Sequence, residues 1–257
     1  MFLLHLCAMK IKLTVPLLLL QFCFYFVICN GFSQTPEKKY MQWFDSTVGL
    51  ENTPIYNGFL DDGDGAFERN KSYAGTQRYF KAFEFFTGNL VYENQPYYNI
   101  QMKYDVYKDE LLLNLKSSKN TLFSIRPIKD RVKKFNIDNH FFINVGVYNV
   151  TNTSVNGFAE LLIESSSFVL LKKHIKRREE KSENFRMLYE YYQGDYNFLY
   201  FKGGFHIIKR QKDLFVLFPE YKKQMRKYTI RKSSRDEDIK AFLKRLDVLL
   251  PNKTSAK

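Results

Sequence analysis

The sequence is poor in cysteine, and the little it has is confined to one end. Of 257 residues only three are cysteines, Cys7, Cys23 and Cys29. If the leading segment is removed, the rest of the chain carries no thiol, which excludes disulfide bonds, thiolate catalysis and cysteine-bound metals there. A chain without disulfides must be stabilised by its hydrophobic core, and this one is long enough to form one.

The first 33 residues also lack charge, except for Lys10 and Lys12. An apolar run from Leu13 to Cys29 follows, and the small residues Gly31 and Ser33 come after it. A basic start, an apolar run and a small-residue exit are typical of a secretory signal peptide, so we predict cleavage after Ser33. A retained membrane anchor is the alternative, because the run of seventeen residues is just long enough to cross a bilayer.

Catalytic motifs are absent as well. The histidines beyond the leading segment, His140, His174 and His206, show no HExxH or His-x-His spacing, so the sequence does not favour a zinc site. There is no Gly-x-Ser-x-Gly segment, and no predicted strand is followed by a crossover helix, which excludes a doubly wound nucleotide-binding sheet. We therefore predict no enzyme activity and no cofactor.

One acidic segment is a weak candidate for a metal site. Asp61, Asp62 and Asp64 could offer oxygen ligands to calcium, and a calcium-dependent hydrolase is a hypothesis that depends on them alone. The glycines between them do not fit the EF-hand order, and ordinary turn chemistry accounts for the same residues. We therefore assign no metal.

The chain does contain a series of short aromatic and β-branched runs separated by turn residues, a pattern typical of antiparallel strands. Met102, Tyr104 and Val106 alternate with more polar residues, so one face of that strand is predicted to be solvated. Gly88 and Asn89 are predicted to form a turn. We predict about ten to twelve strands, near residues 79–86, 89–92, 100–107, 111–115, 121–125, 141–147, 157–164, 168–175, 185–192, 197–201, 205–210 and 214–218.

Near the end of the chain the apolar period changes to three and four residues, which indicates helices. One helix is predicted near 219–229, and a second near 235–250 begins at a possible capping box of Ser234 and Glu237. These two amphipathic helices would cover one face or end of a mainly antiparallel sheet, which makes the fold α+β. The predicted organisation is a signal peptide at 1–33, an N-terminal arm at 34–55 that is either a docking arm or a loose leader, and a single β-rich domain at 56–257.

The segments Thr87–Ile100 and Lys103–Leu111 carry a resemblance to a known family. With Asn57-Gly58 upstream and Leu217-Phe218-Pro219 downstream, they resemble exported proteins that are widespread in Bacteroidota. The resemblance covers most of the chain after the leading segment. It implies export and a single domain, and the family has no assigned activity, so it implies no catalytic residue.

Positive charge is concentrated in the last third of the chain. Residues 34–171 carry 15 basic and 16 acidic side chains, whereas residues 172–257 carry 23 and 11. Such a field attracts polyanions, and export argues against nucleic acid as the partner. We predict that an anionic partner binds two basic clusters. Solvated surface faces are the alternative explanation of both clusters. The first cluster is Lys172, Lys173, Lys176, Arg177 and Arg178, and the second is Lys222, Lys223, Arg226 and Lys227.

Together these features predict an exported, non-enzymatic binding protein of the cell envelope, in the periplasm or at the periphery of the outer membrane. Its basic last third would dock to an envelope protein or to an anionic lipid or glycan surface, with no transmembrane segment once the signal is removed. The alternative is a periplasmic carrier of lipid or another hydrophobic ligand. In a carrier, the aromatic side chains, 17% of the residues, would line a cavity.

Overall fold

The computed structural model describes residues 36–61, 63, 71–73, 76–117, 119–151 and 153–250. The predicted signal peptide, Asp62 and Asp64 lie outside the described residues. By its internal contacts the chain divides into two units, Met1–Thr47 and Val48–Lys257.

In the first unit the described residues form helix α1, Pro36–Val48. No helix was predicted in this N-terminal arm. The signal that was missed is the spacing of three and four residues that joins Tyr40, Trp43, Phe44 and Thr47, together with a proline in the first turn, where its fixed backbone angle suits a helix.

The second unit is built on antiparallel strands, which confirms the predicted mainly antiparallel sheet of an α+β fold. Eleven strands form one sheet in the order β1-β5-β4-β3-β2-β6-β7-β8-β9-β12-β13, and β10 pairs with β11 in a separate hairpin. The strands of the described residues are β1 Phe59–Leu60, β2 Phe86–Tyr92, β3 Gln95–Asp105, β4 Glu110–Lys116, β5 Leu122–Arg126, β6 Val132–Ile137, β7 His140–Asn144, β8 Phe158–Glu164, β9 Val169–Lys173, β10 Lys176–Glu183, β11 Arg186–Gln193, β12 Tyr196–Phe201 and β13 Gly204–Ile208.

Three helices follow the last strand: α2 Gln211–Leu217, α3 Lys222–Met225 and α4 Arg235–Leu249. The helix predicted near 219–229 is broken, because a 3-10 turn, Pro219–Tyr221, precedes the short α3. The helix predicted near 235–250 corresponds to α4, but its predicted capping box is absent. The hydroxyl of Ser234 donates to Asp238 instead of capping the helix backbone.

Two further predictions of local structure are wrong. The strand expected at 79–86 does not form, because Lys81 has a φ of 60° and bends the backbone there. The strand expected at 214–218 lies in α2, which starts as a helix because the Asp213 carboxylate accepts the backbone N–H groups of Lys209 and Arg210.

The predicted turn at Gly88 and Asn89 lies inside β2. Gly88 is required there for a different reason, which is the close approach of β6. A Cβ atom at Gly88 would lie 1.9 Å from the carbonyl oxygen of Asn136. The missing side chain therefore serves strand pairing rather than a change of chain direction.

At strand β9, apolar side chains cover both faces of the sheet. Val169, Leu170 and Leu171 are all buried, and successive residues of a strand point to opposite faces. Leu170 packs with Leu199 and the buried residues of α2 and α4, whereas Leu171 packs on the other side with Phe198. Next to this region a larger cluster of aromatic and aliphatic residues fills the space over β2 to β8: Leu90, Met102, Tyr104, Phe135, Phe142 and Phe158.

Candidate functional site

The first predicted basic cluster begins at the end of β9, and its first residue is ion-paired inside the protein. The ammonium of Lys172 lies 2.8 Å from Asp236 Oδ2 at the start of α4 and 3.4 Å from Asp195 Oδ2. Burial alone would lower the pKa of Lys172, but hydrogen bonds to the two carboxylates outweigh burial and raise that pKa. Lys172 therefore joins strand β9 to helix α4.

Lys173 points to the other face of the strand and is buried. Its ammonium lies 2.9 Å from Asp109 Oδ2 and donates to the carbonyl oxygens of Asn156 and Phe158 at 3.0 Å and 2.9 Å. The other oxygen of Asp109 accepts the hydroxyl of Tyr104 at 2.6 Å. This group links the turn between β3 and β4 to the beginning of β8.

The remaining residues of this cluster are divided between the interior and the surface. Lys176 donates to the carbonyl oxygens of Gln77 and Tyr79 at 2.5 Å and 2.7 Å, and burial lowers its pKa to about 8. Arg178 lies over the rings of Tyr107 and Tyr189, whereas Arg177 is exposed. Within the described part of the chain, Lys172, Lys173 and Lys176 thus serve internal contacts.

A buried imidazole lies at the centre of this polar region. His174 Nε2 is 2.7 Å from Glu160 Oε2, and its Nδ1 is 2.8 Å from Asp195 Oδ2. Ionised carboxylates only accept hydrogen bonds, so contacts with two of them favour a ring that is protonated on both nitrogens, an imidazolium. Burial works against this charge, but the two hydrogen bonds outweigh it and raise the pKa of His174.

The carboxylates on either side of this imidazolium are held ionised. Burial would raise the pKa of Glu160, but hydrogen bonds from His174 and from His140, whose Nδ1 is 2.5 Å away, lower it. Burial likewise opposes the ionisation of Asp195, yet the hydrogen bond with His174 lowers its pKa to about 2. The phenyl ring of Phe80 contacts both imidazoles edge-on, with ring centroids 5.1 Å apart in each case. The imidazolium and its two carboxylate partners thus lie in an interior that is lined by aromatic rings.

The second predicted basic cluster lies at the surface. Lys222, Lys223, Arg226 and Lys227 are all exposed, while Met225 between them is buried. Among the described residues none of the four forms an ion pair, and Lys227 lies over the ring of Tyr228. This cluster keeps its charge available to solvent.

The acidic segment offers no described metal site. Asp61 Oδ1 is 3.3 Å from the guanidinium of Arg126, and the Asp61 backbone N–H donates to Ser124 at the edge of the sheet. Asp62 and Asp64 lie outside the described residues. Across the part of the chain that the structure describes, no group of three or more histidine, cysteine, aspartate or glutamate side chains could hold a metal ion.

A cleft of about 730 Å³ opens on the outer face of the sheet, opposite the large core cluster. Its floor spans five adjacent strands, from β3 to β8, and consists of two rows of side chains across them. The first row is Pro96, Val91, Lys134 and Ile143, which are paired in register. The second row is Tyr98, Asn89, Asn136 and Phe141, with Leu161 at its end.

Phe135 and Phe142 point inward into the core, so by alternation their neighbours Lys134, Phe141 and Ile143 face outward. Phe141 is 58% exposed, which is a high value for a phenylalanine in the middle of a sheet. Apolar side chains therefore line the cleft; Phe141 is largely exposed, whereas Ile143 and Leu161 pack partly against the cluster around Leu171 and Phe198.

A β-bulge shapes the second row. Tyr98 and Asn99 together oppose Asn89, and Asn99 adopts a φ of 57°. The Asn99 backbone N–H donates to Asn89 Oδ1 at 3.3 Å, and the Asn89 backbone N–H donates to Asn136 Oδ1 at 2.9 Å. Both side-chain carbonyl oxygens are thus used by the backbone.

The 3-10 turn Val145–Tyr148 forms one wall of the cleft. Tyr148 packs against Tyr200, with ring centroids 4.3 Å apart, and against Phe205. Val147 is 48% exposed beside it, and Glu164 completes this end. Burial and the nearby Glu164 charge both raise the pKa of Tyr148. The cleft is thus apolar and aromatic over most of its surface, with Lys134 and Glu164 as its two charged side chains.

Within the described residues, no helix combines the length and the apolar character needed to cross a membrane. In comparisons with known proteins, no family model, curated sequence or solved structure matches this chain.

Proposed function

We propose that this is a binding protein that holds a hydrophobic ligand in the outer cleft of its sheet. The observation that carries the proposal is the cleft itself: about 730 Å³, lined by aromatic and aliphatic side chains with a few polar groups among them. Small-molecule sites have this composition and volumes of roughly 300–1,000 Å³. Of the two functions considered from the sequence, the carrier of a hydrophobic ligand is the one that this geometry favours.

The proposal includes export, to the periplasm or the periphery of the outer membrane. The arrangement of the first 33 residues and the resemblance of Thr87–Ile100 to exported proteins support that location. An extracytoplasmic carrier would shield an apolar ligand from water between membranes, and an open cleft on a sheet face allows the ligand to enter and leave.

The test is binding of the neutral fluorescent probe N-phenyl-1-naphthylamine to the purified protein. Phe141→Lys places a charge in the floor of the cleft and should weaken binding by about tenfold or more, which corresponds to about 1.4 kcal/mol. Phe185→Lys is the matched control, since Phe185 is a fully exposed phenylalanine at the tip of the β10–β11 hairpin. If the wild-type protein does not bind the probe, or if both variants bind alike, the cleft is not a ligand site.

A second candidate function is docking to an anionic lipid surface, and the second basic cluster favours it. Lys222, Lys223, Arg226 and Lys227 are all exposed and lie within six consecutive residues, so their like charges repel one another. An anionic membrane would relieve this repulsion and contribute on the order of 1 kcal/mol per well-placed basic residue. In this proposal the C-terminal helices are amphipathic, with Ile239 and Leu243 of α4 toward the sheet.

Docking is tested by co-sedimentation with vesicles that contain phosphatidylglycerol. Reversing the four charges of the second cluster to glutamate should lower the bound fraction by about tenfold or more. The charge-matched control reverses four exposed lysines elsewhere, Lys116, Lys119, Lys133 and Lys202. Equal losses in both proteins would indicate a response to net charge alone and would count against docking by this cluster.

A further inference from the structure

Building on the proposed ligand cleft, we infer that its ligand is an amphiphile with an anionic head group, and that Lys134 together with the side-chain amides of Asn89 and Asn136 recognises that head. A long-chain carboxylate is the simplest such ligand.

Lys134 is an unusual residue for its position. It lies in the floor between Val91 and Ile143, its paired neighbours on β2 and β7, so apolar side chains flank it on both sides. Among the described residues its ammonium has no hydrogen bond and no ion pair. Lys134 is exposed to solvent, so its charge is available to an anionic group that enters the cleft, with the modest strength of a solvent-accessible ion pair.

The side-chain amides of Asn89 and Asn136 add hydrogen-bond donors in the second row. Asn89 and Asn136 have already committed their carbonyl oxygens to backbone N–H groups, at 3.3 Å and 2.9 Å. Their NH₂ groups are the remaining polar atoms, and no hydrogen bond within the described residues engages them. An ammonium and two amide donors form a set that offers only hydrogen-bond donors, which an acidic head group can satisfy.

The opposite end of the cleft would repel an anion. Glu164 lies five residues beyond Ala159, the residue that pairs with Ile143 in the row of Lys134. A β-bulge between Leu161 and Ile163 takes up one of these residues, so at ~3.3 Å per paired residue Lys134 and Glu164 lie roughly 13 Å apart along the strand direction. Phe141, Leu161 and Tyr148 lie on the apolar surface toward that end. The head group therefore binds at Lys134 and the apolar body extends toward Tyr148.

The experiment compares two probes that differ only in the head group, anionic anthroyloxy-stearate and its neutral methyl ester, in direct fluorescence titrations of the full chain at neutral pH. Wild-type protein should bind the acid about fivefold more tightly than the ester, the size expected of a solvent-accessible ion pair. Lys134→Met should abolish this preference, and Lys134→Arg should retain it. Lys133→Met is the matched control, because the ammonium of Lys133 bonds to the side chain of Asn94, and it should leave the preference unchanged.

The outcomes distinguish a failure of the head-group inference from a failure of the proposed function. If the wild-type protein binds the acid and the ester equally, or if Lys134→Met keeps the preference, the head-group inference is wrong and the cleft remains a ligand site. If neither probe binds, the proposed function itself fails. Should Lys134→Met not fold, added salt must weaken binding of the acid and not of the ester in the wild-type protein, because salt screens only the charged pair.

Discussion

Nδ1 of His174 and Oδ2 of Asp195 lie 2.8 Å apart in the polar interior between β9 and β12. The other ring nitrogen of His174 meets Glu160, so the imidazolium is held between two carboxylates. None of these groups lines the outer cleft. Their effect is therefore expected on stability, and its pH dependence follows from the directions of the pKa shifts.

The contribution of His174, Glu160 and Asp195 to stability should be greatest between about pH 4.5 and 6.5. The pKa of His174 is raised above its ordinary 6.5, so its contribution is complete below 6.5 and is lost as the pH rises through the folded-state value. The pKa values of Glu160 and Asp195 are lowered from 4.5 and 3.8, the latter to about 2, so their contributions are lost as the pH falls. Urea midpoints measured across the pH range test this window.

His174→Gln isolates the contribution of the imidazolium. The difference in urea midpoint between wild type and variant should shrink as the pH rises above 6.5, because only the wild type has this proton to lose. Below that pH the variant should be less stable by about 3–5 kcal/mol, since two buried carboxylates lose their cation. A difference that stays constant with pH would mean that His174 is not charged in the folded protein.

Lys173 should be essential for stability, in contrast to the exposed lysines. Lys173→Met leaves Asp109 paired with Lys129 but removes the donor to two backbone carbonyls, and it should lower the unfolding free energy by about 2–3 kcal/mol. Lys222→Met, at an exposed position, should change it by no more than about 0.5 kcal/mol. Denaturant unfolding of both variants makes the comparison. Equal stabilities would contradict an internal role for Lys173.

These lysines also show where sequence reasoning reached its limit. Alternation and aromatic runs predicted most strands, because each exposes one periodic face to the core. A run of basic residues gives no sign of its partners when those are distant in sequence. Asp236 is 64 residues from Lys172, and only the packing of α4 on the sheet brings them together. Binding of an anionic partner to the two clusters remains a prediction, and it now depends on the exposed second cluster.

Strands β6 and β10 were missed for a related reason. Lys133-Lys134 in β6 and the charged segment Lys176–Glu183 of β10 have low intrinsic strand propensity. β6 forms because β2 and β7 pair with it on both sides, and β10 forms because β11 pairs with it along its whole length. Since β6 supplies the middle of the cleft floor, the site could not be located without it.

Gly88 should tolerate no side chain. In Gly88→Ala the new Cβ would overlap the carbonyl oxygen of Asn136, which is backbone and cannot rotate away. Strands β2 and β6 would separate locally, with an expected loss of about 2 kcal/mol or more and weaker probe binding in the cleft. Gly194→Ala is the control, because its nearest neighbour, a carbon of Ile175, would lie 4.0 Å away. Calorimetry and the probe titration measure both effects, and a stable Gly88→Ala protein with normal binding would contradict this role.

The hairpin tip should become more stable when Phe185 is replaced by glycine. Asn184 and Phe185 occupy the two-residue turn between β10 and β11 with φ angles of 49° and 62°. Such turns favour Asn-Gly, whereas a bulky side chain is strained at positive φ. Phe185→Gly should raise the unfolding free energy by about 1 kcal/mol.

Phe185→Ala distinguishes the relief of backbone strain from the removal of an exposed ring in the same experiment. Alanine also has a Cβ atom and keeps the strain, but it removes the fully exposed ring just as glycine does. We therefore expect Phe185→Gly to raise the melting temperature by about 2–4 °C and Phe185→Ala to gain much less. If both variants gained equally, the backbone angle would not be the cause. If neither variant gained stability, the backbone at Phe185 would not be strained by its positive φ.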